Sequence, residues 1–408
     1  MVGRGFASVI TARGKNAKVV VGWDVRDSSV SLANSLTRGL MDSGIHVLEA
    51  GLATTPMTRF AGLAYGTAGT VMVTASHNQM WDNGFKLTLN NKPFYGQDLQ
   101  DVCDVIEKQA FVNGTGSLTC IQVQQLYKES LLKKIIISDQ LKVVWIARNS
   151  IISSLLEEIL GTLPGQHVIK NCTNGLVHSD YDAIFDFDTD GDRLILTDSK
   201  KQVWHGDEVL ALFALCAQDE IENLQIVFDL KASRVLIKSL EALGIKCHIS
   251  RVGNCFIDNK MRENGAQMGG ETSGHFLFAD HNCMIDDGIY TALRLLHCLS
   301  RTSSTLNQIR SLLPNLHISK SITVKCGDQD KYAIFSILRN QIKIQDLITD
   351  ESSEGAILVK NVEGWYVIRL SETENALSVR CEGFNEGALS ILQDRLEDVL
   401  SVVGLSMW

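Results

Sequence analysis

The chain has 408 residues, 45% of them hydrophobic and 21% charged, and a formal net charge of −9. That length exceeds one core, so two to four domains are expected. The acidic balance argues against nucleic acid as the main partner, though a local basic cleft for an anionic substrate remains compatible with it. The 10 cysteines form no CxxC pairs and no signal peptide is seen, which predicts reduced thiols in a cytoplasmic protein. No apolar run approaches the ~20 residues needed to span a bilayer, so no membrane partner is expected. Only 4 prolines predict short connections between domains.

In chain order, Ala17 to Val25 is a continuous apolar run, as in a strand buried on both faces of a parallel sheet. A helical pattern follows through Leu32, Leu36, Leu40 and Met41. A short strand at Val47-Leu48 ends at Gly51, and Thr54-Thr55-Pro56 opens another helix with proline near its first turn. The strand Val71–Ser76 comes next. This βα rhythm predicts an α/β unit, with ligand groups gathered beyond the carboxyl ends of the strands, where Arg26, Ser28 and Ser76 fall. A second unit has strands at Leu141–Ile146 and Ala183–Asp188 with a helix at Ile151–Leu160. A third follows the helical Glu208–Ala217, with strands at Gln225–Asp229 and around Cys247-His248-Ile249 and a helix at Asp286–Ser300. From about Ile318 the texture turns to α+β, with strands near Ala356–Lys360, Tyr366–Leu370 and Leu377–Cys381 and helices at Lys331–Lys343 and Glu386–Val403. The expected division is 1–125, 126–214, 215–315 and 316–408, three α/β mixed-sheet domains and a carboxyl-terminal α+β domain. The repeated rhythm hints at internal duplication.

Four loops carry groups suited to chemistry. Thr74-Ala75-Ser76-His77-Asn78 ends a β-rich run and delivers one hydroxyl to a turn, with Lys86 ten residues on; an ordinary hairpin is the bland alternative. Asp186, Asp188, Asp190 and Asp192 alternate along a short stretch and suit a hard cation such as Mg²⁺. An EF-hand loop would need Glu where Thr197 stands, and a helix before it; a solvated acidic turn is the other alternative. Gly269–His275 exposes Glu271, Ser273 and His275, which suits sugar hydroxyls or is a plain glycine-rich connection. Arg369, Ser371 and Thr373 alternate, with Arg380 beyond, and suit a phosphate or belong to a solvated strand end. Lys231, after Val227-Phe228-Asp229-Leu230, is a strand-end cation or surface charge. One hydroxyl, one metal site, one hydroxyl-binding loop and one phosphate loop are the equipment for phosphoryl transfer on a phosphosugar. A phosphatase with Asp188 as nucleophile is the rival reading of the acidic loop, and the serine loop argues against it.

In their order, the four loops resemble those of the α-D-phosphohexomutase superfamily. TASHN with NGFK resembles its phosphoserine loop, DTDGDR its metal loop, GETSGH its sugar loop and RLSETEN its phosphate loop. The resemblance implies four domains around a central cleft. It implies that Ser76 is the phosphoserine and that Asp188, Asp190 and Asp192 bind Mg²⁺ together with the group on Ser76. His77, Lys86 and Arg193 become the acid/base and electrostatic group. Arg26, Lys231, Glu271, Ser273 and His275 become substrate groups, and Arg369, Ser371 and Thr373 hold the phosphate that is not transferred. A hexose 1,6-bisphosphate is implied as intermediate and activator, and a monomer or weak dimer is expected.

Asn83–Lys86, Phe228–Arg234, Phe256-Ile257 with Lys260–Glu263, and Asp286–Tyr290 look most like bacterial phosphomannomutase/phosphoglucomutase. Ala75, and Asn375 after Glu374, are seen more in phosphoglucosamine mutases. Some features depart from the pattern. The amino-terminal strand and its YDIRG-type arginine loop have no counterpart in the sequence, so the chain starts late against family expectation. The second unit looks abridged, and Asn254 stands where this branch has His. Glu372 stands where Gly or Asn is usual, and a carboxylate there repels phosphate unless it faces solvent. These departures also admit a degenerate phosphosugar-binding relative without catalysis.

Overall fold

The computed structural model describes the chain except residues 134, 139, 173–180, 283, 345–347, 351–354, 372–373 and 408. Two compact units result. The first comprises Met1–Asp229 and Gly244–Leu312, the second Leu230–Leu243 and Leu313–Trp408. The molecule is mixed α/β, as the sequence predicts.

The first unit holds three sheets. In the six-stranded sheet the order is Lys92–Pro93, Phe85–Leu89, Gly69–Val73, Lys18–Trp23, His46–Leu52 and Ser117–Cys120. Val19 pairs with Val47 and Val21 with Val71 in parallel, while Val71 pairs with Leu87 antiparallel. The apolar run at Val19–Val21 is fully buried, as a strand covered on both faces must be. Ser29–Met41 and Thr55–Ala64 are the two expected helices, and the Thr54 hydroxyl accepts from the Met57 amide to cap the second.

The helix over Val2–Ala12 is not included in the sequence reading. It places Phe6, Val9 and Ile10 in the core. Its glycines lower intrinsic helix propensity, but they permit close packing. A Cβ on Gly3 would lie 2.3 Å from the Leu36 carbonyl oxygen of the neighbouring helix.

The second sheet runs Val203–Trp204, Leu194–Asp198, Ala183–Phe187, Lys142–Ile146 and Gln166–Lys170. Trp145, Phe185 and Phe187 form its aromatic core. The third runs Lys246–Ser250, Gln225–Asp229, Met268–Gly270 and Phe276–Phe278. Helices Gly206–Ala217 and Gly288–Ser300 belong to the same unit.

The second unit has an antiparallel sheet built on Ala376–Gly383, Gly364–Leu370 and Ala356–Lys360. Helices Lys331–Ile344 and Glu386–Ser401 share its core through Ile334, Leu338, Leu392 and Leu396. Among the described residues no helix is long and apolar enough to cross a membrane.

Candidate active site

The strand Gly69–Val73 delivers Ser76 at its carboxyl end, with a backbone φ of +52°. That left-handed conformation is uncommon for serine and must be imposed by the surroundings. Arg26 imposes it. Its guanidinium donates to the carbonyl oxygens of Ser76 (2.5 Å), Asn78 (3.0 Å), Asp82 (3.0 Å) and Gln79. Its Nε pairs with Asp24 at 2.9 Å, and Asp24 in turn accepts from Thr74 and Ser29. Arg26 is buried. The sequence places it among the substrate groups; the structure gives its donors to the backbone of the serine loop.

The Ser76 hydroxyl donates to Asp188 Oδ2 at 3.3 Å. Asp188, Asp190 and Asp192 present carboxylate oxygens within 4.8 Å of one another. Such crowding of like charge needs a cation. Burial pushes the Asp188 carboxyl well up from its ordinary value, and the charges of Asp192 and Asp190 push it further. Lys86 supplies one positive charge, at 2.7 Å from Asp190 and 2.5 Å from Asp192. Burial opposes its charge, but the three carboxylates outweigh burial and hold the ammonium well above its usual range. Even so, Asp190 Oδ1 and Asp192 Oδ1 are buried without a hydrogen-bond partner. Two such oxygens beside a third carboxylate, with no nitrogen or sulfur donor among the three, fit a hard divalent cation such as Mg²⁺.

Arg193 Nε stands 3.6 Å from Asp188. His77 is exposed at the edge of the loop, yet its imidazole is lowered to about 4. Partial burial disfavours the imidazolium and the Arg193 charge adds repulsion. His77 is therefore neutral at pH 7, as a proton acceptor must be.

The sugar loop is stitched to the metal loop. Arg193 and His275 form an antiparallel bridge, and the Leu194 amide donates to the Gly274 carbonyl at 3.0 Å. Gly274 has φ +95°, and a Cβ there would lie 2.6 Å from the Leu194 carbonyl oxygen. Asp229 accepts from the Thr272 amide and hydroxyl, both at 2.9 Å. Glu271 is buried and accepts from the Gly253 amide at 2.6 Å, while Ser273 is half-buried.

Sequence reasoning missed Asp286 and Arg59. Asp286 is buried and pairs with His275 at 3.2 Å and Arg59 at 2.5 Å, and accepts from Asn254 at 2.6 Å. His275 thus lies between Asp286 and Asp192, the latter at 3.8 Å. Arg59 sits on an apolar helix, and only the tertiary pairing marks it out.

In the second unit, Arg369 lies in the Gly364–Leu370 strand and Ser371 follows it. The Ser371 hydroxyl accepts from the Glu374 amide at 3.2 Å. Lys331, also missed, donates to the carbonyls of Ser371 (2.7 Å) and Glu374 (2.9 Å). Thr373 and Glu372 lie outside the described residues. Arg380, expected as a further phosphate donor, is instead buried and donates to the Lys231 and Ser319 carbonyls. Lys231 is itself buried.

Two sequence models match, both of phosphoglucomutase/phosphomannomutase: alpha/beta/alpha domain I over residues 1–113 and alpha/beta/alpha domain III over 205–316. The phosphomannomutase/phosphoglucomutase of Pseudomonas aeruginosa is 27% identical over 100% of this chain and 92% of its own. A phosphoglucosamine mutase of Chlamydia abortus is also 27% identical, over 100% of this chain and 93% of its own. The crystal structure of a phosphoglucomutase/phosphomannomutase family protein from Burkholderia thailandensis superimposes with a TM-score of 0.85 at 28% identity, covering 98% of this chain and 92% of that one. With the serine, metal and sugar loops gathered in one unit and these matches along its length, the chain belongs to the phosphoglucomutase/phosphomannomutase family of the α-D-phosphohexomutase superfamily.

Proposed function

We propose that this protein interconverts hexose 1-phosphate and hexose 6-phosphate, with mannose and glucose as the sugars. The reaction runs through a phosphoserine at Ser76 and a bisphosphorylated sugar. The observation that carries this reading is the contact of the strained Ser76 hydroxyl with the Asp188, Asp190 and Asp192 cluster, beside Lys86. Mg²⁺ held by the three aspartates and the group on Ser76 would supply positive charge to the phosphoryl being moved.

The protein's own residues account for the rest. Lys86 and Arg193 balance charge on the phosphoryl oxygens. The phosphoryl group leaves Ser76 Oγ for a sugar hydroxyl; neutral His77 accepts the proton that hydroxyl gives up, and the leaving Ser76 Oγ takes a proton back to become the hydroxyl again. The bisphosphate turns and returns its other phosphoryl to Ser76, which restores the starting enzyme. Glu271 and Ser273 hold sugar hydroxyls, with His275 beside them. Arg369, Ser371, Thr373 and Lys231 serve the phosphate that stays. In this reading 1–125, 126–214, 215–315 and 316–408 act as four domains of a cytoplasmic monomer or weak dimer.

Intact-mass measurement of the purified protein tests this. Wild type carries the mass of one phosphoryl group, Ser76→Ala does not, and only wild type converts 1-phosphate to 6-phosphate. Unmodified wild type that stays inactive with Mg²⁺ and glucose 1,6-bisphosphate overturns the mutase in favour of a binding relative. Relative rates on mannose, glucose and glucosamine phosphates assign the branch; glucosamine as the best substrate overturns the mannose/glucose assignment.

A further inference from the structure

Away from the serine and metal loops, the first unit contains a cavity of about 380 Å³ between the carboxyl-terminal halves of two helices. These are Gly206–Ala217, which carries Cys216, and Gly288–Ser300, which carries Cys298. Both thiols line the cavity, near enough for each to shift the ionisation of the other. Cys298 is 9% exposed and Cys216 is nearer the surface. Lys133, Arg294 and Arg301 line the same space with Glu220 and Asp280; Arg294 pairs with Asp280 and Arg301 with Glu220, so Lys133 is the surplus positive charge among the lining residues. Arg301 pairs with Glu220 at the exposed rim, and Cys216 is partly exposed beside it.

The amino ends of these two helices lie at the active site. The Gly206 amide faces the Thr272 carbonyl of the sugar loop at 3.4 Å, and the Gly288 amide donates to the Gly191 carbonyl of the metal loop at 3.0 Å. A covalent tie between their far ends would fix two elements that seat different loops.

We propose that Cys216 and Cys298 form a thiol–disulfide exchange site for a small anionic disulfide such as glutathione disulfide. The Cys216 thiolate attacks one sulfur of that disulfide and releases one thiolate, leaving a mixed disulfide on Cys216. The Cys298 thiol loses its proton and attacks Cys216 Sγ, which expels the second thiolate. The balance is two protein thiols and one small disulfide converted to one protein disulfide and two small thiols. The chemistry favours this order. The neighbouring Cys298 thiol holds the Cys216 thiol below its ordinary value, against burial, and the Arg301 charge helps. The Cys216 neighbour, with burial, pushes Cys298 up, which makes it the resolving thiol.

The test uses the full-length protein incubated with glutathione disulfide, then alkylated under denaturing conditions and mapped by peptide mass. The expected result is loss of alkylation at Cys216 and Cys298 and one crosslinked peptide pair, both reversed by dithiothreitol. Cys298→Ser is expected to lose the crosslink and retain a glutathione adduct on Cys216. The proposal is overturned if both cysteines stay alkylatable while exposed Cys103, Cys120 or Cys172 carry the adduct. It is equally overturned if Cys216 is crosslinked to another cysteine. The wild-type map needs no variant to fold, and neither readout depends on mutase activity.

Discussion

Ser76 pays for its left-handed backbone with strain of about 1–3 kcal/mol, and Arg26 is the residue that holds it there. Removing the guanidinium frees four carbonyls and leaves Asp24 as an uncompensated buried charge. Arg26→Ala is therefore expected to lower stability by about 3–5 kcal/mol, read from the urea midpoint; an unchanged midpoint would show that the loop does not depend on it. Lys86 acts differently, since it touches two aspartates of the cluster whose third member, Asp188, accepts from Ser76. Lys86→Met keeps most of the volume and removes the charge. Turnover should fall by about 10²–10³ with circular dichroism unchanged, and a variant within twofold of wild type would take Lys86 out of the chemistry.

Elements, and the turns between them, fix the distance between loops. The metal and sugar loops meet because Gly274 allows the Leu194 backbone to approach it, at a φ that suits glycine. Gly274→Ala adds a Cβ in contact with a carbonyl oxygen. The expected cost exceeds about 1 kcal/mol, together with a rise in KM for the phosphosugar larger than the fall in kcat. A KM that does not move would mean that the two loops bind independently. The helix Thr55–Ala64 does comparable work on the other side. Its first residue donates from its hydroxyl to Asp190 at 2.5 Å and from its amide to the Asp190 carbonyl at 2.9 Å. Thr55→Val keeps the shape and removes the hydroxyl donor.

For the whole molecule, the acidic cluster couples stability to metal. Three carboxylates crowd together in the first unit, and two of their buried oxygens have no hydrogen-bond partner. A cation that binds only the folded state stabilises it by about 2.7 kcal/mol at one hundred times its Kd. Mg²⁺ is expected to raise the calorimetric midpoint and a chelator to reverse the rise. Asp190→Asn should abolish the shift; a wild-type midpoint indifferent to Mg²⁺ would refute the site.

Much of this was legible in the sequence because the signals are local. A strand ending in a serine turn, alternating aspartates and helix-opening Thr54-Thr55-Pro56 all follow from near-neighbour periodicity and turn chemistry. The helix Val2–Ala12 was not legible, since its glycines count against it until the neighbouring helix is seen to press on them. The division of labour among cations was also illegible. Arg26, Arg59, Lys86 and Arg380 are alike in sequence, each a charge near a strand or helix. Folding sends Arg26 and Arg380 to backbone carbonyls, Arg59 to Asp286 and Lys86 to the acidic cluster. Sequence alone determined the fold class and marked the candidate loops. Which cation reaches the acidic cluster was decided only in the tertiary structure, because a buried charge goes to the partners that replace its lost water, and those lie far away along the chain.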